Sequence, residues 1–324
     1  MVKIAVPQGL VSFALILVTA CSGSSEPTER QHADDWRAEI SSIKYGSTAS
    51  EEDPIALRRI ELAAEFLSQA AGIPVRVYQT SDYNGTVQAL SAGQLQMASM
   101  GAGAYSNVDS QIGGLADPIL AERNSYGQTG YYSTMIVRAD SPYQSIEDLK
   151  GKTLAYVDFN STSGYIYPRW KMDEQGINPD TFFGEAAMAG KSTQAVLALS
   201  NGQFDATIVN AHSGTPETGF SMGTIKRMAR QGLIDEDEFR IVWTAGPIPR
   251  SPRVVRTDLP TEFQDLIRGA LAAMPYDAPQ AYAKMARLPG SHYRPVDRRF
   301  YEEIIEMRTK EIERHRRRAI GGEG

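Results

Sequence analysis

A chain of 324 residues is long enough for two domains of ordinary size, and a composition of 42% hydrophobic and 22% charged residues is that of a soluble globular protein. The formal charge of −6 falls to −7 without residues 1–20, which carry Lys3 and no acid, so the balance speaks against a nucleic-acid partner. The single cysteine, Cys21, excludes internal disulfides and any multi-cysteine metal cluster, and stability must come from packing.

The first predicted element is a leader. Lys3 precedes an apolar run from Leu10 to Val18 that is short for a bilayer span and reads as an export signal over residues 1–20. The run ends in Val18-Thr19-Ala20-Cys21, which resembles the bacterial lipobox, so Cys21 is expected to carry lipid and anchor the protein to a membrane on its extracytoplasmic, periplasmic side. Residues 21–39, rich in Ser, Glu and Asp, are expected to form a flexible tether, with folding starting near Ile43.

From Ile43 the pattern alternates. Strands are predicted at Ile43–Gly46, Ile73–Tyr78 and Leu95–Met100, separated by helices from Pro54 to Gly72 and over about Asn84–Ala92. After the apolar run Tyr131–Val137 a second series begins. It has a short helix at Ser145–Lys150, a strand at Thr153–Val157, helices near Gly164–Gln175, Ser192–Ser200 and Thr224–Gln231, and strands at Ala206–Val209 and Arg240–Trp243. Pro247, Pro249 and Pro252 interrupt the pattern, Arg253–Arg256 reads as a returning strand, and two or three helices close the chain. The expected architecture is two α/β lobes joined by two crossing strands with a cleft between them, one lobe from 40–136 plus 247–324 and the other from 137–246.

One point in that series carries chemistry. Asn160-Ser161-Thr162-Ser163-Gly164 lies where a strand ends and a helix begins, so three hydroxyls meet backbone amides that have no intrahelical partner. Such a turn is suited to an oxyanion, because the helix start carries partial positive charge and hydroxyls add donors without adding a cation. Ser or Thr is also the common choice for a helix cap, and that reading stands beside the first.

Asp82-Tyr83, Gly130-Tyr131-Tyr132-Ser133, Asp148–Lys152, Ser161–Gly164, Asn201-Gly202 with Asp205-Ala206, and Pro247-Ile248-Pro249 follow one another in a particular order and spacing. Over about Ile43 to Met274 this resembles the phosphonate/phosphite/phosphate-binding proteins of ABC importers, the PhnD-type group. The resemblance implies a type II periplasmic-binding-protein fold that captures a small oxyanion and delivers it to an ABC permease, with no catalysis and no cofactor. It implies that Ser161, Thr162 and Ser163 hold the phosphoryl oxygens and that Tyr83 and Tyr131 help enclose the ligand.

The chain also departs from that group. A phosphoryl-contacting histidine expected after Ala189-Gly190 is replaced by Lys191 or Ser192, depending on the alignment. Where amine-binding members carry acids, the matching positions hold His212 and Ser251. His212 sits in what reads as a polar loop, and His32, His292 and His315 show no metal-ligand spacing, so no metal site is inferred.

Two other functions compete. Gly219-Phe220-Ser221-Met222-Gly223 matches the G-x-S-x-G elbow of serine hydrolases, with acids and His292 downstream, but no apolar strand precedes it. A surface interaction lipoprotein without a small ligand would use Arg314–Arg318, which otherwise reads as the basic end of an amphipathic helix.

Overall fold

The computed structural model describes residues 35–47, 54–80, 82–125, 127–286 and 290–321. The leader, Cys21, His32 and all of the expected tether up to residue 34 lie outside them. Trp36 opens the described body, buried against Phe263 at 5.2 Å between ring centroids. Packing therefore includes residues that the expected 21–39 tether assigns outside it, because one aromatic in a polar stretch leaves no periodic trace.

The first lobe runs β1 (Ile43–Ser47), α1 (Pro54–Ala71), β2 (Val75–Gln79), α2 (Tyr83–Ser91), β3 (Met97–Ser99), α3 (Ala102–Ile112) and β4 (Ala116–Arg123). The second runs β5 (Gly130–Arg138), β6 (Thr153–Tyr156), a π turn at Thr162–Ile166, α4 (Tyr167–Glu174), β7 (Glu185–Met188), α5 (Ser192–Ser200), β8 (Ala206–Thr215), β9 (Gly219–Gly223), α6 (Thr224–Arg230) and β10 (Phe239–Pro249). The chain then returns through β11 (Pro252–Arg256), α7 (Thr261–Asp277), α8 (Pro279–Met285), β12 (His292–Pro295) and α9 (Glu302–Gly321).

Local sequence explains the better-marked elements. In α1, Ile60, Ala63, Ala64, Leu67 and Ala71 are buried at helical spacing, and Gly72 ends the helix at a φ of +70°, where a side chain would be strained. Other elements run past their expected limits. β8 continues through Asn210–Gly214, so the polar loop around His212 is strand, polar on the face that lines a cavity. β10 continues through Pro247 and Pro249, which is tolerated because it is an edge strand with a register shift between Ala245 and Ile248.

Two sheets result, ordered β12-β4-β11-β3-β1-β2 and β10-β5-β8-β6-β7, with β9 paired to β8. In each, a central parallel strand has its sequence neighbours on opposite sides: β1 lies between β2 and β3, and β6 between β7 and β8. The space beyond the carboxyl ends of such strands is where α/β sheets leave a crevice. Sheet membership changes within 124–129 and at 250–251, and these two crossings are tied by the Arg250 amide donating to Thr129 O at 3.0 Å. The changes fall several residues from the expected 136/137 and 246/247 divisions, since an apolar run does not reveal which sheet it will join.

Helix α9 belongs to neither lobe alone. Near its start, Tyr301 packs on Tyr105 of α3 and donates to Arg250 O at 2.8 Å; further along, Glu311 accepts from Tyr165 and Arg169 of the second lobe.

Candidate ligand-binding site

The carboxyl ends of the two central strands face one cavity of about 120 Å³. Ser47 reaches it from the end of β1, Ser99 from the end of β3, and Val157 from the residue after β6. Helix starts form another part of the wall: Tyr83 begins α2, Gly101 is the N-cap of α3, and Ser192 begins α5. Neither Gly101 nor Lys191, the N-cap of α5, caps its helix with a side chain. Amides at those starts are suited to an anion.

The Ser161–Ser163 turn adds to the second lobe's share. Ser161 is the N-cap, extended in backbone, and its Oγ accepts from the Gly164 amide at 3.1 Å. The π turn that follows is closed by the Ile166 amide on Ser161 O and the Tyr167 amide on Thr162 O. Thr162 Oγ1 accepts from the Gly103 amide at 2.7 Å, and the Ser163 carbonyl accepts from Ser133 Oγ at 2.6 Å. A hydroxyl that accepts from an amide still has its own hydrogen to donate. Ser161 and Thr162 are therefore held in place by protein donors and keep one donor each for a guest.

Nearby, Asp158 accepts from the Asn160 amide at 2.7 Å, and burial pushes its carboxyl above the usual range more than that bond pulls it down. It does not line the cavity. Among the described residues no Asp, Glu, Lys or Arg side chain does, so the lining consists of hydroxyls, amides, two tyrosines, Asn210, His212 and a few apolar groups.

Eight of the nine expected contact residues converge here: Tyr83, Tyr131, Ser161, Thr162, Ser163, Ser192, His212 and Ser251. Lys191 is not among the lining residues; it precedes α5 and Ser192 takes the wall position. Tyr131 and His212 stack at 4.8 Å between ring centroids, with Arg250 Nη1 3.3 Å from His212 Nδ1. Sequence reading missed Ser47, Ser99, Gly101 and Asn210. The first two were findable in principle, as small hydroxyl residues at the ends of predicted parallel strands. Gly101 was not, because α3 is buried all round over Ala102–Ser106 and its start shows no amphipathic period.

The competing motif assembles differently. Gly219–Gly223 is itself the strand β9, Ser221 Oγ donates to Ser213 O at 3.0 Å, and His292 lies on β12 in the other sheet. A nucleophile elbow requires a tight strand-to-helix turn with its base within reach, whereas Ser221 lies inside a strand and His292 in the other sheet. At the other end of the chain, Arg314 pairs with Asp173 and Asp180, so part of that basic segment serves packing.

Comparison with known proteins gives the same direction. A family model described as ABC transporter, phosphonate, periplasmic substrate-binding protein matches residues 45–301. The phosphate-import protein PhnD of Mycolicibacterium smegmatis is 28% identical over 267 residues, covering 79% of this chain and 78% of that protein. A binding protein component of an ABC phosphonate transporter from Pseudomonas aeruginosa superposes with a TM-score of 0.68 at 23% identity, over 82% of this chain and 85% of that one. PhnD1 from Prochlorococcus marinus, in complex with methylphosphonate, gives 0.67 at 16% identity, over 83% and 98%. The two superpositions establish the two-lobed fold, while the family match runs through both sheets and the hydroxyl turn. The chain belongs to the periplasmic substrate-binding proteins of ABC phosphonate transporters.

Proposed function

We propose that this substrate-binding component holds a phosphonate-, phosphite- or phosphate-like oxyanion against the Ser161-Thr162-Ser163 turn, enclosed by Tyr83 and Tyr131. The observation that carries the reading is the cavity's lining: hydroxyls and helix-start amides converge on it, and no carboxylate among the described residues faces it. Hydrogen bonds to a charged phosphoryl group are the strong kind, and donors fixed at helix starts need no rearrangement to make them. The name of the Mycolicibacterium smegmatis relative supports inorganic phosphate as one candidate.

Contacts from both lobes would stabilise the closed state, which an ABC permease would recognise. Lipid on Cys21 would hold the protein at the extracytoplasmic face of a membrane. No helix among the described residues is long and apolar enough to cross one.

A thermal-shift screen over phosphate, phosphite, methylphosphonate, aminoethylphosphonate, sulfonates and sulfate tests the reading. A true ligand at a hundred times its dissociation constant stabilises by about 2.7 kcal/mol. Stabilisation by a phosphorus oxyanion is expected; stabilisation by sulfonates alone, or by none of the series, overturns it.

A further inference from the structure

The hydroxyl turn has a back as well as a face. Tyr165 directly follows Ser163-Gly164 in the π turn, is only 3% exposed, and does not line the cavity. Its hydroxyl donates instead to Glu311 Oε1 of α9 at 2.7 Å. Burial pushes the phenol above its ordinary value, so it keeps the hydrogen that makes this bond. The ring is held as well: Tyr156 and Phe159 each meet it edge-on at 5.1 Å between centroids, and the Arg169 guanidinium lies over it at 5.0 Å.

Glu311 is fixed in turn. It is buried, accepts from Arg169 Nε at 3.1 Å, and has Arg314 Nε at 3.7 Å and His315 Nε2 at 3.2 Å. A carboxylate seated between two guanidinium groups makes a charge-assisted bond to the phenol, stronger than a bond between neutral groups.

The helix that carries Glu311 is anchored in the first lobe. Just before α9, Arg298 binds both carboxylate oxygens of Asp109 on α3, at 2.8 and 3.0 Å. Tyr301 packs on Tyr105 of the same helix, and Arg308 donates to Gly103 O. The start of α3, at Gly101, is a wall of the cavity. Packed elements therefore run without a break from one wall, through α3 and α9, to Glu311, Tyr165 and the opposite wall at Ser163.

We infer that Glu311 is a positioning residue of the binding site: through Tyr165 it sets where the hydroxyl turn of the second lobe stands relative to the α3 start of the first. The inference rests on reading that turn as the oxyanion site. Donors from two lobes serve one tetrahedral anion at one spacing only, and a hydrogen bond weakens steeply as its length and angle leave the optimum. Cutting the tie keeps every lining group but loosens their spacing, so affinity falls although no contact with the guest is deleted.

Calorimetry on the full chain, with phosphate, phosphite and methylphosphonate as probes, tests this. Tyr165→Phe keeps the ring and deletes the hydroxyl; affinity for the tightest probe should fall by about tenfold, the lower end for losing a hydrogen bond to a charged group. Glu311→Ala should weaken binding by a similar factor, and Glu311→Gln, which keeps an acceptor for Tyr165, should stay within about threefold of wild type. Tyr165→Phe combined with Glu311→Ala should bind no worse than the weaker single variant. Arg314→Met is the control, because it severs the pairs of α9 with Asp173 and Asp180 and leaves Tyr165 on Glu311. Its affinity should hold within about threefold of wild type.

Unchanged affinity in folded Tyr165→Phe overturns the inference, and so do single-variant losses that multiply in the double variant. A loss in Arg314→Met as large as in Tyr165→Phe overturns it too, since α9 would then be a general brace. Should Tyr165→Phe fail to fold, the Glu311 variants decide, and equal losses in Glu311→Ala and Glu311→Gln overturn the assignment. If wild type binds none of the probes, the oxyanion reading falls and this inference with it. If a probe binds and Thr162→Val weakens it while Tyr165→Phe does not, only this inference falls.

Discussion

Thr162 Oγ1, on the turn of the second lobe, accepts the Gly103 amide in the first turn of α3 in the first lobe. The N-cap of α3 is Gly101, which has no side chain to do this, so the helix is capped by a residue from the opposite lobe. Two further ties cross at the same place. Asn107 donates to Asn160 Oδ1 at 2.7 Å, and Arg308 Nη2 donates to Gly103 O, Phe159 O and Asn160 Oδ1. The hydroxyl turn and the lobe contact are one structure, which leads to predictions that separate them.

Gly103→Ala should block closure without harming the first lobe. A Cβ at Gly103 would lie 2.8 Å from Asn160 O and 3.1 Å from Thr162 N, both backbone atoms of the other lobe. Within α3 itself alanine is favoured over glycine by about 1 kcal/mol. Calorimetry with phosphate or methylphosphonate should show affinity lowered by tenfold or more, with far-ultraviolet circular dichroism unchanged; undiminished affinity would show that closure does not bring these backbones together.

Thr162→Val keeps the shape of the side chain and removes its oxygen. The Gly103 amide loses its cap and the guest loses a donor, at about 1.5–3 kcal/mol for a hydrogen bond to a charged group. Binding should weaken by about tenfold or more in Thr162→Val and stay near wild type in Thr162→Ser. Equal affinities for the two variants would count against the hydroxyl.

The α9 strap should matter to stability. Burial pushes the Arg308 guanidinium down to about 10, still protonated at neutral pH, and it serves acceptors in both lobes. Arg308→Met would remove three hydrogen bonds, two of them buried, at a cost of about 1–3 kcal/mol or more. A melting temperature lower by about 4 °C or more is expected, and a drop under one degree would make the strap incidental.

Asp205 gives a pH dependence. Burial acts to raise its carboxyl, but bonds from the Thr153 amide, the Tyr143 hydroxyl and Thr153 Oγ1 outweigh burial and hold it below the usual range. A carboxyl depressed by folding adds stability above its unfolded value of about 4, and that stability is lost as pH falls through the folded value. Asp205→Asn should therefore melt lower than wild type at pH 7, with the gap narrowing below about pH 4. Melting curves across pH would show it, and a gap independent of pH would assign the effect to shape.

Cys21→Ser tests the anchor. Metabolic labelling with an acyl analogue should be abolished, because the chain has no other thiol. Retained labelling would end the lipobox assignment.

The sequence by itself determined what short-range pattern can carry. The alternation of α1, β2 and α2 follows from buried residues at helical or strand spacing, and the hydroxyl turn follows from small polar residues at a strand-to-helix junction. The order of small motifs was enough to identify the family. What it could not carry were features whose cause lies far away along the chain. The first turns of α3, Ala102–Ser106, are buried on all sides, so the start of this helix has no polar face to mark it. Pro247 and Pro249 read as breakers because nothing local says that β10 will be an edge strand with no partner needing their amides. That Ser192 lines the cavity depended on where α5 starts relative to it. Arg250 lies 38 positions from His212, and Thr162 lies 59 from Gly103, so the contact behind the wall and the cap across the lobes arise only when the folded sheets bring those residues together.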